Sequence, residues 1–394
     1  MKDGRAMERA LELARKGEGL TRPNPPVGAV LVRGGEEIAA GYHRRAGGPH
    51  AEAACLASAP RLTPAQWSQS TLYVTLEPCS TEGRTPPCTR AILEHGVGRV
   101  VVGTEDPNPS HAGEGLRELR AGGVDVECGV LRDEAEALIA PFAKWIVSGR
   151  PRVTLKLAMT ADGRIADRDG RSRWISGPEA RTCVQALRRR ADAIMVGSGT
   201  VAHDDPSLLP RPAEGREPYR VILDADGRLH PGARVFQDEA SARTLVFTPE
   251  GAPRGELPVE PIEVPETNGG CDPGAVLDTL GERGLLHVLC EGGGEIAAAL
   301  AGAQLVDEYI FFMAPRILGG DARPAFAPMG LGLADARALK YEEICRVGED
   351  LMIRAAKGHG DNRREWPQTG TEFTEEGGRK EAQNKGGRHV HGNH

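Results

Sequence analysis

The chain has 394 residues, a formal net charge of −7, 39% hydrophobic residues and only 4% aromatic residues. That length suits two or three domains, while the acidic balance and scarce aromatics argue against a nucleic-acid surface, which needs a basic stripe or a stacking platform. No apolar run approaches the roughly eighteen residues of a membrane span, and the charged opening "MKDGRAMERALELARKGEG" holds no apolar signal core, so a cytoplasmic protein is expected.

In chain order, "AMERALELARK" puts Met7, Ala10, Leu11 and Ala14 on one helical stripe. "VGAVLV" (27–32) reads as a buried strand followed by the turn "RGG". A small-residue helix is expected after Pro49 in "PHAEAACLASA". The strand "STLYVTLEP" ends at Pro78, and the helix "TRAILEHG" stops at Gly96. The strand "RVVVGTEDP", the helix "GLRELRAGG" and the strand "VDVECGV" follow. This alternation predicts an α/β domain over 1–148, with a mostly parallel sheet covered by helices.

Gly149, Pro151 and their flanking arginines punctuate a boundary. A second domain is expected over 150–358, with strands at "RVTLKLAM", "ADAIMVGS", "YRVILDAD", "RTLVFT" and "LLHVLCEGGG". "LRRRAD" reads as helical, 248–273 as connecting loop, and "EIAAALAGAQL" as a helix after the glycine run. "DEYIFFMAPRIL" and "CRVGEDLMIRAA" read as late strands. From His359 to His394 only Trp366, Phe373, Ala382 and Val390 are apolar. Such a segment buries too little surface to offset its ordering entropy, so a disordered tail with solvated histidines is expected over 359–394.

"LEPCSTEGRTPPC" (76–88) sets Cys79 and Cys88 across a proline-rich stretch that is not a continuous helix. Two such thiols can form a disulfide, bind a metal or fill a core. The eight cysteines are irregularly spaced, which in a reducing compartment weighs against a disulfide. Upstream, "GGPHAEAAC" puts His50 and Glu52 two apart at a helix start. Zinc deaminases need three protein ligands, an open position for water and a carboxylate that is not a ligand; their signature is H-x-E followed by P-C-x-x-C. This chain has H-A-E, then E-P-C and a second cysteine, with a longer gap between the thiols. His50, Cys79 and Cys88 are the candidate ligands, both thiolates being favoured at or near helix N-termini. Glu52 is the candidate proton carrier. The alternative is a helix-start histidine beside two core thiols.

The second half carries a weaker signal. "CEGGGE" lies between a strand and a helix, where glycines let a phosphate approach the helix N-terminus. "GSGT" (197–200) also follows a strand. Neither is the G-x-G-x-x-G fingerprint, so a Rossmann nucleotide fold is not supported, and either run can be a tight turn.

"PNPPVGAVLV", "GYHRRAGGPHAE", "TLEPCSTEGRTPPC" and "EDPNPSHAGEG" together resemble the deaminase half of the bifunctional pyrimidine deaminase/reductase family of riboflavin biosynthesis. The resemblance runs over about 1–357, through "LKLAMTADGRIA", "SRWISGPEAR", "GSGTVAHDDPSLLPR" and "EGGGEIAAALA". It implies a cytidine-deaminase-like three-layer α/β/α domain, then a dihydrofolate-reductase-like α/β domain, with zinc and NADPH as cofactors. It carries over His50, Cys79 and Cys88 as metal ligands and Glu52 as the catalytic carboxylate. Asn24, His43 and Asn108 are implied to line the pyrimidine pocket, and Arg84 to face the substrate phosphate. Ala158, Trp174, Thr200, Asp204, Ala225 and the segment Gly293, Gly294, Glu295 are implied to contact NADPH. Ser172, Arg188, Leu208, Arg211 and Glu291 are implied to contact the reductase substrate, and Lys156 and Asp204 are expected near its sugar. The sequence departs from the family at Thr81-Glu82, where a histidine is usual after "CS".

The implied activity is hydrolytic deamination of a diaminopyrimidine ribotide, then reduction of its ribosyl group to ribityl. The expected partners are small-molecule pyrimidine ribotides, with no nucleic acid and no membrane, in a homo-oligomer. Two rival readings are a nucleotide deaminase fused to a non-enzymatic partner and a zinc-stabilised binding protein.

Overall fold

The computed structural model describes residues 2–82, 86–212, 217–253 and 255–358. The expected tail and Arg84 lie outside the described residues. The first half comprises α1 (Asp3–Arg15), β1 (Gly28–Arg33), β2 (Glu36–Tyr42), α2 (Ala51–Ser58), α3 (Pro64–Ser68), β3 (Ser70–Leu76), α4 (Cys88–His95), β4 (Arg99–Thr104), α5 (Glu114–Ala121), β5 (Asp125–Cys128) and α6 (Arg132–Ser148). Its strands form one sheet in the order β2-β1-β3-β4-β5.

Successive side chains of a strand face opposite sides of the sheet, and here both sides are covered. Ala29, Leu31, Leu72, Val74, Val100 and Val102 pack with α2, α4 and α5. Val30, Val32, Tyr73 and Val101 pack with α1 and Ala135 of α6. That double burial explains the unbroken apolar run of β1 and makes three layers, α/β/α.

The parallel expectation holds for β3, β4 and β5, whereas β1 runs antiparallel to both of its neighbours. Gly34 and Gly35, both at positive φ, close a two-residue hairpin between β1 and β2. β2 was not apparent beforehand because its "EEIAAGY" is too polar at one end to read as a strand.

The second half comprises β6 (Arg152–Thr160), β7 (Arg164–Ala166), α7 (Pro178–Arg190), β8 (Ala193–Gly197), α8 (Ser198–Asp204), β9 (Tyr219–Leu223), β10 (Thr244–Pro249), β11 (Ile262–Val264), β12 (Glu266–Thr267), β13 (Gly270–Cys271), α9 (Pro273–Glu282), β14 (His287–Gly292), α10 (Gly294–Gly302), β15 (Glu308–Ala314), β16 (Arg323–Pro324), β17 (Leu339–Val347) and β18 (Asp350–Lys357). Nine strands form one sheet, β11-β10-β9-β8-β14-β6-β15-β18-β17. It is parallel up to β15, and the β17–β18 hairpin adds antiparallel strands at one edge. Val153, Leu155, Val221 and Phe247 meet α9 and α10 on one face. Ile194, Val196, Ile222 and Val246 meet Val201 of α8 on the other. The stretch 248–273, expected to be mainly loop, contains β11 and the β12–β13 pair.

No element was expected over 132–148, where α6 forms with Pro141, a residue unfavourable in a helix interior, in its middle. Tertiary contacts hold its last turns. Lys144 Nζ lies 2.5 Å from the Asp307 carboxylate, which also accepts the Val153 amide at 2.7 Å. Trp145 Nε1 donates to the Gly281 carbonyl at 2.9 Å. The chain then turns at Gly149 (φ +73°) and enters β6. The packing there is so close that a Cβ on Gly281 would lie 1.8 Å from the Gly149 carbonyl oxygen. Gly281→Ala is therefore expected to force α9 from the turn and to cost about 1–3 kcal/mol, as overpacking does. Denaturant titration should show a lower midpoint with an unchanged slope.

Candidate active sites

The first site lies where β3 ends and α2 and α4 begin. His50 is the residue before α2, in extended conformation, and Cys88 is the first residue of α4. One ligand atom from each of His50, Cys79 and Cys88 falls within 4.8 Å of the other two. His50 Nδ1 is 3.5 Å from Cys79 Sγ and 3.4 Å from Cys88 Sγ. Of the two thiols expected at or near helix N-termini, Cys88 opens α4 and Cys79 lies in the loop after β3. Pro78 ends the strand there. The start of α4 still serves Cys79, because the Cys88 backbone N–H donates to its sulfur at 3.4 Å. The two thiols and the imidazole thus fit the three-ligand donor set of a catalytic zinc.

The cluster holds its charge unevenly. The Cys79 thiol is pulled down to about 4, chiefly by a hydrogen bond from the Cys88 thiol, with His50 and the Cys88 amide adding to it. Cys88, the donor of that bond, is pushed up, and burial adds to the rise. His50 is raised by its hydrogen bond to Cys79. Glu52, in the first turn of α2, is only 3% exposed. Burial first, and the charge on Cys79 second, push its carboxyl up to about 7. A group so placed can take up and release a proton near neutrality.

Two of the expected pocket residues meet beside this cluster. His43 Nδ1 donates to the Pro49 carbonyl at 2.8 Å, so its Nε2 accepts from the Asn24 amide at 3.2 Å. Burial lowers the His43 pKa and keeps the ring neutral. Its ring lies edge-on to His50, 5.5 Å between centroids. Asn108 lies on the loop after β4, where its side-chain oxygen accepts the Ser110 amide at 3.1 Å. At the sequence departure, Glu82 pairs with Arg90 at 3.1 Å on the exposed surface.

The second site is a cavity of about 930 Å³ lined from β6, β8, β14 and the starts of α8 and α10. From the expected cofactor set, Ala158, Trp174, Thr200, Asp204, Gly293, Gly294 and Glu295 line it. Ala225, in the turn after β9, is not among its lining residues. From the expected substrate set, Lys156, Ser172, Arg188, Leu208, Arg211 and Glu291 all line it.

Gly292 and Gly293 both take positive φ, +85° and +117°, before α10 opens into the cavity. Together with the lining arginines, that exposed helix start suits a phosphate-bearing dinucleotide. Trp174 is 61% exposed, with the Arg181 guanidinium 4.5 Å from its ring centroid.

Arg188 is not a free cation. Its Nε and Nη2 clamp the Glu291 carboxylate at 2.5 and 2.9 Å, and Nη1 donates to the Leu209 carbonyl at 3.2 Å. Burial opposes the Glu291 charge, but Arg188 and Lys156 outweigh it and hold the carboxyl low. Burial lowers the Lys156 ammonium in turn. Sequence reading missed Arg173, Arg181, Arg228, Arg234 and Arg323, which also line the cavity. Arg173 and Arg181 lie in the stretch "SRWISGPEAR" without being singled out there, and Arg228, Arg234 and Arg323 are scattered over the chain with no local motif to mark them.

Residues 1–104 match the family described as the cytidine and deoxycytidylate deaminase zinc-binding region, and residues 151–353 match the RibD C-terminal domain. The riboflavin biosynthesis protein RibD of Escherichia coli K12 is 41% identical over 367 residues, covering 90% of this chain and 99% of that protein. RibD of Aquifex aeolicus is 38% identical, covering 89% and 97%. Among solved structures, a diaminohydroxyphosphoribosylaminopyrimidine deaminase/5-amino-6-(5-phosphoribosylamino)uracil reductase from Thermotoga maritima is 37% identical, with a TM-score of 0.80 over 90% of this chain and 99% of that one. RibD of Acinetobacter baumannii is 34% identical, with a TM-score of 0.79 and the same coverage. The metal cluster sits in the half that matches a zinc deaminase, the basic cavity sits in the half that matches the reductase, and the chain belongs to the RibD family, the bifunctional deaminase/reductases of riboflavin biosynthesis.

Proposed function

We propose that residues 1–148 carry the deaminase and residues 150–358 the reductase, each with its own residues. His50, Cys79 and Cys88 hold zinc, and Asn24, His43, Asn108 and Arg84 receive the diaminopyrimidine ribotide. Zinc bound there would supply an activated water at neutral pH. Glu52 would move both protons: it passes one from the water to the ring nitrogen as the oxygen bonds to the ring carbon, then takes the proton of the added hydroxyl and gives it to the amine, so that the C–N bond breaks and ammonia leaves. Asn24 and neutral His43 orient the ring. The observation that carries this reading is the buried Glu52 carboxyl beside a cluster of three donors. A purely structural zinc site, the binding-protein alternative, is closed and has no use for such a carboxylate.

In the second half, NADPH bound in the cavity would supply the hydride for reduction of the ribosyl group to ribityl. The arginines and the start of α10 hold its phosphates, with Ala158, Trp174, Thr200 and Asp204 along its length. Glu291, gripped by Arg188, and Lys156 face the sugar, while Ser172, Leu208 and Arg211 complete the substrate surface. The basic cavity supports an enzymatic second half over a non-enzymatic partner. We place the protein in the cytoplasm, in keeping with eight free thiols; among the described residues no helix is long and apolar enough to cross a membrane. We expect a homo-oligomer, in keeping with edge strand β17, which exposes Tyr341 and Ile344.

Three outcomes test these roles. Metal analysis of the purified chain should find about one zinc per chain, as a single catalytic site requires, and Cys88→Ser should lose most of it. Glu52→Gln keeps the side-chain shape but not the proton acceptor, so deamination should fall by about 10²–10⁴ while reduction of the deaminated ribotide is unchanged. Arg188→Ala leaves Glu291 with one cation fewer. A charged hydrogen bond contributes about 1.5–3 kcal/mol, so reduction should fall by about tenfold or more, with deamination intact in separate assays of the two half-reactions.

A further inference from the structure

Glu77, two residues before Cys79, belongs to no metal cluster among the described residues, yet it is only 6% exposed. A buried carboxylate is costly unless its oxygens are hydrogen-bonded. Four main-chain amides meet it. Oε2 accepts from Asp106 at 3.0 Å and Gly113 at 2.9 Å, and Oε1 accepts from Gly115 at 2.8 Å and Leu116 at 3.3 Å. These donors come from both ends of one loop. Asp106 follows β4, Gly113 precedes α5, and Gly115 and Leu116 lie in its first turn, where amides lack partners within the helix. Gly113 has no side chain with which to cap α5, so Glu77 acts as the cap from across the fold.

The anchorage reaches the active site by two routes. α5 presses on the backbone just before Cys79, since a Cβ on Gly115 would lie 2.1 Å from the Pro78 carbonyl oxygen. The loop is also internally linked. The Asp106 backbone is held by Glu77, its Oδ1 accepts the Asn108 amide at 2.9 Å, and Asn108 Oδ1 accepts the Ser110 amide at 3.1 Å. One carboxylate therefore clamps both ends of a loop whose middle carries Asn108.

We propose that Glu77 is a positioning residue of the deaminase: it fixes the 105–116 loop beside the metal centre and thereby sets where Asn108 meets the pyrimidine. The proposal rests on the reading of Asn108 as a pyrimidine contact. Glu77 itself touches neither metal nor substrate, and its effect belongs in substrate capture rather than in proton transfer.

The test is Glu77→Gln in the full chain, with Asn108→Ala alongside. Glutamine keeps the shape but turns an NH₂ group toward two of the four donors. Hydrogen exchange at the amides of 106 and 113–116 should quicken, and KM for the diaminopyrimidine ribotide should rise about tenfold, the scale of one lost charged hydrogen bond. The deaminase kcat should change far less, and zinc content and reductase rate should be unchanged. Asn108→Ala should raise KM without quickening exchange at those amides. Quickened exchange in Glu77→Gln with an unchanged KM, while Asn108→Ala raises KM, would overturn the positioning role and leave Asn108 as a contact. A raised KM in Glu77→Gln alone would uphold the role of the loop and remove Asn108 from the pocket. Loss of zinc in Glu77→Gln would overturn the proposal, because Glu77 would then support the ligands. If the glutamine variant does not fold, Glu77→Asp, which keeps both oxygens on a shorter arm, decides: a raised KM with full zinc supports the proposal, and an unchanged KM or lost zinc refutes it.

Discussion

The candidate site of the first half depends on a carboxyl group held out of bulk water, Glu52 being only 3% exposed. Glu52 sits in the first turn of α2, buried beside the charged sulfur of Cys79, and both effects raise its affinity for a proton. That burial would be a plain liability in a structural protein. Next to three metal donors it is what a proton carrier needs, because its two protonation states are close in free energy near neutrality. The surrounding architecture makes the burial possible. His50 immediately precedes α2 and Glu52 lies in its first turn, so the start of one helix presents the imidazole and the carboxyl side by side, and the small residues Ala51 and Cys55 let α2 pack closely on the sheet.

The two halves use the same economy of design with different chemistry. In each, the groups that matter gather where parallel strands end and helices begin, the place at which α/β sheets form crevices. β3 and β4 deliver Cys79 and the Asn108 loop, and β14 delivers Glu291 and the glycines before α10. The halves are also firmly joined. Lys144 and Trp145 of α6 grip Asp307 and Gly281, and Arg190 at the end of α7 pairs with Glu18 at 3.5 Å. None of these contacts draws on the metal cluster.

Residue types and order were legible in the sequence where chemistry is local. His50 and Glu52 two apart, a proline before Cys79, and glycines between β14 and α10 each mark a function through neighbouring residues. The strands buried on both faces were legible for the same reason, as continuous apolar runs. What depended on distant partners was not. Arg188 and Glu291 were each implied as substrate contacts, but that they pair with one another across 103 residues was not legible. Four amides converge on Glu77 from 29 to 39 residues downstream. α6 was not expected and is held by contacts to the other half, and β2 was hidden by the acidic residues at its start. Ala225 was implied as a cofactor contact, yet it is not among the residues that line the cavity.

The central claim is that one chain holds two chemically separate sites, one needing zinc and one needing NADPH. The most direct measurement strips zinc from the full chain with a chelator and supplies the already deaminated ribotide with NADPH. Reduction to the ribityl product should proceed at the rate of the untreated protein, while deamination of the diaminopyrimidine ribotide stops and resumes when zinc is restored. Loss of reduction together with zinc, in a chain that remains folded, would contradict the account and require a shared site.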